Sequence, residues 1–253
     1  MKTNRILALA GIAAATIGFS TVAQANCSGL PNHDALAKAL QQAVKPSGGP
    51  SNGGLDLNMW GSIVDVDGTV CAVAFTGKAF TDQFLGSRVV SASKANTANA
   101  FSLDGLALSS ANLYAPTQPG GSLFGLQESN PIDTAVAYAG TAETFGTAKD
   151  PMVGKRIGGL TVFGGGLAFY KDGKKVGAVG VSGDTSCGDH NIAWRVRKTL
   201  GLDKVPAGVS PNKDDGIIYD IVGGTSKGGF GHPTCGGKEA DVAKEIGSGA
   251  VVQ

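Results

Sequence analysis

The histidines are the side chains of this sequence that are best suited to hold a metal ion. There are three, His33, His190 and His232, and no two of them stand at the i, i+4 spacing by which helices bind zinc. One histidine is still sufficient as an axial ligand to a haem iron. His33, near the start of the first predicted helix, and His190, in the first turn of a later one, are the candidate iron ligands. The alternatives are a capping or surface His33, a His190 that makes only an orienting hydrogen bond or faces solvent, and a His232 that is only a turn residue before Pro233.

Basic residues and glycines could complete a site for a flat, anionic cofactor. The two propionates of a haem favour Arg or Lys at a pocket rim, which makes Arg88 and Lys94 candidates, although basic residues on helices are often only solvated. Gly164 and Gly165 belong to a glycine-rich stretch, 158–183, where the missing Cβ atoms let backbone or a flat ligand approach closely. We interpret this stretch as the central hairpin of a sheet with one face left open by glycine. The alternative is a glycine-rich sheet without a ligand.

The sequence shows no recognisable catalytic set. Ser226 lies in the pattern Gly-Thr-Ser-Lys-Gly, which matches a nucleophile elbow, but the glycines and Pro233 that follow cannot form the helix that this motif requires. The glycine spacings do not make a dinucleotide fingerprint, and the Gly-Lys-Ser/Thr end of a phosphate-binding loop is missing. The sequence therefore leaves open whether the protein is an enzyme.

The four cysteines, Cys27, Cys71, Cys187 and Cys235, predict two disulfides. No Cys-x-x-Cys pair is present, which argues against thioredoxin-like chemistry, zinc ribbons and covalent c-type haem attachment. Of the three possible pairings we favour Cys27–Cys71 and Cys187–Cys235, because each ties a terminal arm to the body of the protein. On the chain-entropy account, each such bond stabilises by about 3–4 kcal/mol.

The N-terminal segment has the layout of a cleavable signal peptide over residues 1–25. Lys2 and Arg5 precede an apolar stretch, and Ala23-Gln24-Ala25 forms a small-x-small cleavage site. We therefore expect a periplasmic or secreted protein, with no other membrane span. Without Lys2 and Arg5, 19 basic side chains face 20 acidic ones, since the whole chain has 21 and 20. This balance gives no indication of a nucleic-acid partner.

The remaining chain is typical of an α+β protein with an antiparallel sheet and packed helices. Apolar spacing predicts helices over 30–44, 82–101 and 189–200 and a strand over 216–222, and Asp-Gly pairs at 67–68 and 172–173 predict two hairpins. Residues 115–149, here called the insertion, form a long connection of the kind found in lids, binding loops or assembly arms. We expect a domain over 26–202 and a loop-rich C-terminal extension over 203–253, tied back by a disulfide.

Four motifs make the sequence resemble the GlcG/HbpS family of haem-binding and haem-degrading proteins. They are DVDG (65–68), KANTA (94–98), VFGGGL (162–167) and GAVGVSG (177–183), and the cysteine-bearing stretches resemble an exported subgroup. The resemblance, over about residues 36–200, implies a profilin-like or PAS-like fold, a homo-oligomer and haem binding. Some family members use a histidine of the first helix as iron ligand, which His33 matches by location. The insertion and the C-terminal extension depart from the family pattern.

Together, these observations predict an exported protein that binds haem or a related tetrapyrrole, either to sequester it or to degrade it and release iron. The alternative is a non-enzymatic extracytoplasmic sensor or interaction module that binds another small ligand, since a fold by itself does not give a function.

Overall fold

The computed structural model describes residues 27–44 and 52–252. The helices are α1 (His33–Val44), α2 (Gly86–Phe101), α3 (Tyr114–Thr117), α4 (Thr134–Ala137), α5 (Ser186–Thr199) and α6 (Glu239–Ile246). The strands are β1 (Trp60–Val64), β2 (Val70–Phe75), β3 (Gly166–Lys171), β4 (Lys174–Ser182), β5 (Ile217–Tyr219), β6 (Ile221–Val222), β7 (Thr225–Ser226) and β8 (Gly249–Val251). Short 3-10 helices lie at Phe80–Asp82, Ser110–Leu113 and Ala142–Thr144. The predicted signal peptide, 1–25, lies outside the described residues.

The main sheet has four antiparallel strands in the order β2-β1-β4-β3, which confirms the α+β prediction. Both predicted hairpins form, because Gly68 (φ 83°), Asp172 (φ 50°) and Gly173 (φ 75°) supply the positive φ angles of tight turns. The second hairpin is not wholly central, however. β4 lies inside the sheet beside β1, whereas β3 is an edge strand.

Helices cover both faces of this sheet. On one face α1 and α5 pack over an apolar cluster that includes Leu36, Leu40, Val179, Val181 and Val196. Alternate β4 residues, Ala178 and Gly180, face the other side, where α2 packs. α2 begins at Gly86, not at residue 82, because the Asp82 carboxylate accepts the Lys78 and Ala79 backbone N–H groups (2.8 and 2.9 Å) and closes a 3-10 turn.

The glycine-rich face is filled by α2, so the interpretation of an open face is wrong. A Cβ atom on Gly180 would lie 1.9 Å from the Ser91 carbonyl oxygen, and one on Gly166 would lie 2.2 Å from that of Lys94. These glycines therefore let the backbone of a helix rich in small residues lie directly on the backbone of the sheet. The close approach that the missing Cβ atoms permit is used for packing.

The insertion closes over the end of the α2 face. Its residues Ala137 and Phe145 belong to the same apolar cluster as Trp60 and Val73. Just beyond it, the Asp150 carboxylate binds the buried Arg88 guanidinium through two hydrogen bonds. The insertion is therefore anchored to the domain through Ala137 and Phe145, while most of its other residues are partly or fully exposed.

The C-terminal extension is more regular than its sequence predicted. β5 pairs in parallel with β8, and α6, which the sequence analysis did not predict, lies between them in the chain. Both favoured disulfides, Cys27–Cys71 and Cys187–Cys235, are present. The buried pair Arg197–Asp215 also joins α5 to the extension, with N···O distances of 2.6 and 2.7 Å. Among the described residues, no helix combines the length and the apolar character that crossing a membrane needs.

Candidate functional site

Of the three histidines, all of which lie in the described ranges, His33 is the one whose ring reaches the surface. It is the first residue of α1, and its side chain is 25% exposed. The Nδ1 atom lies 2.9 Å from the Asp34 carboxylate, and Nε2 lies 3.0 Å from the Gly146 carbonyl oxygen of the insertion.

These two contacts define what the His33 ring can do. Both neighbours are hydrogen-bond acceptors, and a neutral imidazole has only one N–H group, so neutral His33 can donate to only one of them. When Nδ1 carries the proton and donates to Asp34, the lone pair of Nε2 is free to bind a metal ion. A carboxylate behind the second ring nitrogen is the usual arrangement around metal-bound histidines. His33 Nε2, with Asp34 behind the ring, would hold a haem iron only if the Gly146 carbonyl moved aside.

The Gly146 segment rests on aromatic side chains next to His33. A Cβ atom on Gly146 would lie 2.7 Å from Phe75 Cβ and 3.0 Å from the Trp60 ring, and these two rings stack with their centroids 4.1 Å apart. The Gly146 N–H donates to Asp150 (2.8 Å), which also binds Arg88. Movement of this segment would therefore uncover the part of these aromatic side chains that Gly146 covers.

His190 lies in a different environment and is not brought together with His33. It is fully buried, its Nε2 lies 3.2 Å from the Ser248 carbonyl oxygen, and its Nδ1 has no partner among the described residues. Burial, with the nearby Arg197 charge as a smaller cause, lowers the pKa of His190 to about 3. The ring is therefore neutral near pH 7 and offers no exposed edge to a planar ligand.

Arg88 and Lys94 are buried in ion pairs and do not line an open face. Arg88 binds Asp150 and also donates to the Ala137 carbonyl oxygen (2.8 Å). The Lys94 Nζ atom lies 2.6 Å from Asp189 and donates to the Val181 carbonyl oxygen (3.2 Å). Burial lowers the pKa of Lys94 and raises that of Asp189 to about 6. Neither cation is accessible to a propionate in this arrangement.

Gly164 and Gly165 have no free space beside them either. A Cβ atom on Gly164 would lie 2.1 Å from the Ser186 carbonyl oxygen, and one on Gly165 would lie 2.4 Å from that of Val181. The pair marks the place where α2 and α5 meet at the end of the sheet.

His232 is buried in the C-terminal extension beside the second disulfide. Its Nδ1 donates to the Pro233 carbonyl oxygen (2.7 Å), and its Nε2 accepts the Gly164 N–H (3.4 Å). Burial lowers the pKa of His232 to about 4.

Four cavities of about 280 to 400 Å³ stand out in the described part of the chain, and none of them is lined by a histidine. The carboxylate and carbonyl partners of His33 were missed by sequence reasoning. The adjacent His-Asp pair at 33–34 indicates the carboxylate partner. The carbonyl partner, Gly146, is 113 residues away in the chain, and no sequence pattern indicates that contact.

Comparison with known proteins gives the chain a family. The profile of the HbpS-like haem-degrading proteins matches residues 32–197. No curated protein matches the chain. Among solved structures, the chain is similar to Klebsiella pneumoniae protein ORFY, described as a DUF336 protein, with 21% identity and a TM-score of 0.45 over 68% of this chain and 90% of that one. It is also similar to PduOC, solved as a haem complex, with 23% identity and a TM-score of 0.45 over 66% of this chain and 89% of that one. Because the profile covers well over half of its length, the chain belongs to the HbpS-like haem-degrading protein family.

Proposed function

We propose that this protein binds haem outside the cytoplasm and that His33 is the iron ligand. Membership of a family described as haem-degrading supports the choice of ligand. The observation that carries the assignment of the site is the partly exposed His33 ring with the Asp34 carboxylate 2.9 Å behind it.

The residues around His33 have separable tasks in this proposal. Asp34 holds the proton on Nδ1, which fixes the tautomer and makes Nε2 a better donor to a metal ion. The Gly146 carbonyl occupies Nε2 when no ligand is there. Trp60, which is fully buried, and Phe75, which is partly buried, would supply flat apolar surface for the body of a porphyrin once the Gly146 segment had moved. Bound haem would supply an iron centre capable of redox chemistry.

Export, assembly and the fate of the haem are further parts of the proposal. Two disulfides in one chain support an oxidising compartment, and so does the predicted signal peptide. A homo-oligomer is what the family resemblance implies. The protein would either sequester haem or degrade it and release iron.

The proposal is tested by titrating the oxidised, full-length protein with haemin and recording the Soret band. We expect a saturable, shifted band in the wild type and its loss in His33→Gly. Added imidazole should restore the band in that variant, because a small free ligand can replace the missing ring. Lys38→Ala, an exposed change on the same helix, is the matched control and should bind as the wild type does. An unchanged band in His33→Gly would refute His33 as the ligand, and no band in the wild type would refute haem binding.

A second measurement separates sequestration from degradation. The haem-loaded protein is incubated with ascorbate in air, and the Soret band and free iron are followed. A stable band assigns sequestration. Loss of the band with iron release, faster than for the same concentration of free haemin, assigns degradation.

A further inference from the structure

The two disulfides of this protein have opposite chemical surroundings although they close loops of nearly equal length. Cys27 and Cys71 are 44 residues apart, and Cys187 and Cys235 are 48 residues apart. Loop-closure entropy therefore does not distinguish them. Any difference in how easily they are reduced depends on how well the surroundings stabilise the two thiolates that reduction creates.

Hydrogen-bond donors lie beside the Cys235 sulfur of Cys187–Cys235. This sulfur lies at the N-terminus of the 14-residue helix α5, where the Cys187 N–H donates to it (3.3 Å) and the Ser186 hydroxyl lies 3.4 Å away. The Cys187 sulfur has the Pro233 carbonyl oxygen at 3.5 Å and His232 Nδ1 at 3.9 Å, and the proton of that ring nitrogen is donated to the same carbonyl. A helix N-terminus and nearby N–H and O–H groups stabilise a thiolate and lower the cost of forming it.

The surroundings of Cys27–Cys71 disfavour the formation of thiolates. The buried Asp65 carboxylate lies within 4.8 Å of both sulfurs, so thiolates formed there would face a negative charge. Among the residues described, no N–H or O–H group donates to either sulfur. Solvent exposure alone would predict that Cys27–Cys71 is the disulfide that is reduced more easily. Cys27 and Cys71 are both half-buried, whereas Cys187 is fully buried and only Cys235 is half-buried.

We propose that Cys187–Cys235 is a thiol–disulfide exchange site that a dithiol reductant opens while Cys27–Cys71 stays oxidised. The incoming thiolate forms a bond with the sulfur of Cys235, the more exposed residue of the two. The Cys187–Cys235 bond breaks, and its electron pair leaves on Cys187 as a thiolate. The second thiol of the reductant then displaces Cys235, so that two electrons have passed to the protein and the reductant has become a disulfide.

This exchange would act on the attachment of the C-terminal extension. The disulfide joins the start of α5 to the chain just after His232, whose Nε2 accepts the Gly164 N–H at the meeting point of α2 and α5. Opening the bond removes the covalent link there and leaves the non-covalent contacts, including Arg197–Asp215. The extension would thereby become easier to detach without loss of the main sheet.

The test is equilibration of the full-length oxidised protein in glutathione buffers of increasing reducing strength, followed by an acid quench, alkylation and peptide mass spectrometry. We expect Cys187 and Cys235 to be half alkylated at a GSH²/GSSG ratio at least about tenfold lower than the ratio at which Cys27 and Cys71 are half alkylated. This factor corresponds to a difference of about 30 mV in reduction potential. The proposal is overturned if both bonds open together or if Cys27–Cys71 opens first.

A pair of serine variants tests the cause. Ser186→Ala removes the hydroxyl beside Cys235 and should make Cys187–Cys235 harder to reduce, by a factor of about three to ten in the same ratio. Ser28→Ala, next to Cys27, is the matched control and should move neither midpoint. An unchanged midpoint in Ser186→Ala would refute the role of the donors at the helix start.

Discussion

The starts of α1 and α5 look alike in sequence and differ completely in environment. Both helices pack on the same face of the sheet, and each carries a histidine next to an aspartate in its first turns, His33-Asp34 and Asp189-His190. At α1 the histidine is partly exposed and the Asp34 side chain is 91% exposed. At α5 the side chains of both residues are buried.

The difference teaches that burial, and not residue type or place in a helix, decides the role of these histidines. His190 is kept neutral by its apolar surroundings, and its neighbour Asp189 is committed to Lys94. His33 keeps a ring edge at the surface with a carboxylate behind it. The start of α5 therefore contributes to the stability of the fold, whereas the proposed function requires His33 at the start of α1 to exchange the Gly146 carbonyl for a ligand.

The largest difference between the two helix starts should appear in the free energy of unfolding when Asp189 and Asp34 are each replaced by alanine. Asp189→Ala leaves Lys94 as a buried, unpaired cation and removes the acceptor of the Asp184 N–H (2.8 Å), so we expect a loss of about 3–5 kcal/mol in the free energy of unfolding. Asp34→Ala, at the exposed helix start, should cost about 0.5 kcal/mol or less. Urea denaturation of both variants measures this, and equal losses would contradict the comparison.

Acidification should destabilise the protein through the buried histidines. The pKa values of His190 and His232 fall to about 3 and about 4, below the ordinary 6.5, so the unfolded chain binds more protons below pH 6.5 and stability decreases as the pH falls. Between pH 7 and 5 each histidine should lower the free energy of unfolding by about 2 kcal/mol. Asp189, whose raised pKa acts in the opposite direction, should offset about 1 kcal/mol of this loss.

A His232→Gln variant tests this account of the acid sensitivity. The variant should reduce the loss of stability between pH 7 and 5 by about 2 kcal/mol, because glutamine does not titrate. Thermal unfolding of the variant and the wild type at a series of pH values measures the loss, and an unchanged pH dependence would be the contrary outcome.

The smallest effect concerns the carboxylate behind His33. Asp34→Asn keeps the size of the side chain and removes its charge, so we expect haemin affinity to fall by about tenfold while the free energy of unfolding stays within about 0.5 kcal/mol of the wild type. Haemin titration and urea denaturation of the same preparation test both parts. Wild-type affinity in Asp34→Asn would show that the carboxylate does not support the ligand.

Local sequence signals predicted much of the fold but few of the contacts between residues that are far apart in the sequence. The Asp-Gly turns, the apolar spacing of α1 and α5 and the cysteine pairing were readable because each depends on near neighbours or on few alternatives. The role of Gly166 and Gly180 could not be predicted from the sequence, because a missing Cβ permits either a ligand or a helix to approach. The Val242 and Ile246 spacing before Gly247 (φ 76°) is compatible with α6, but it stands in a glycine-rich tail whose composition is typical of loops.

The candidate site illustrates the same limit. His33 was identified by its location at the start of a helix, whereas its contact with Gly146 depends on how the insertion folds back. Arg88 and Lys94 were read as solvated or ligand-facing cations. Their partners, Asp150 and Asp189, lie 62 and 95 residues further along the chain, and no spacing rule connects them.

The three buried ion pairs have a consequence for misassembly. Arg88–Asp150 joins α2 to the end of the insertion, Lys94–Asp189 joins α2 to α5, and Arg197–Asp215 joins α5 to the C-terminal extension. An apolar contact tolerates a shifted neighbour, but a buried charge without its counterion does not. We therefore expect these pairs to act less by strengthening the native state than by penalising competing packings, in which a segment has docked in the wrong place.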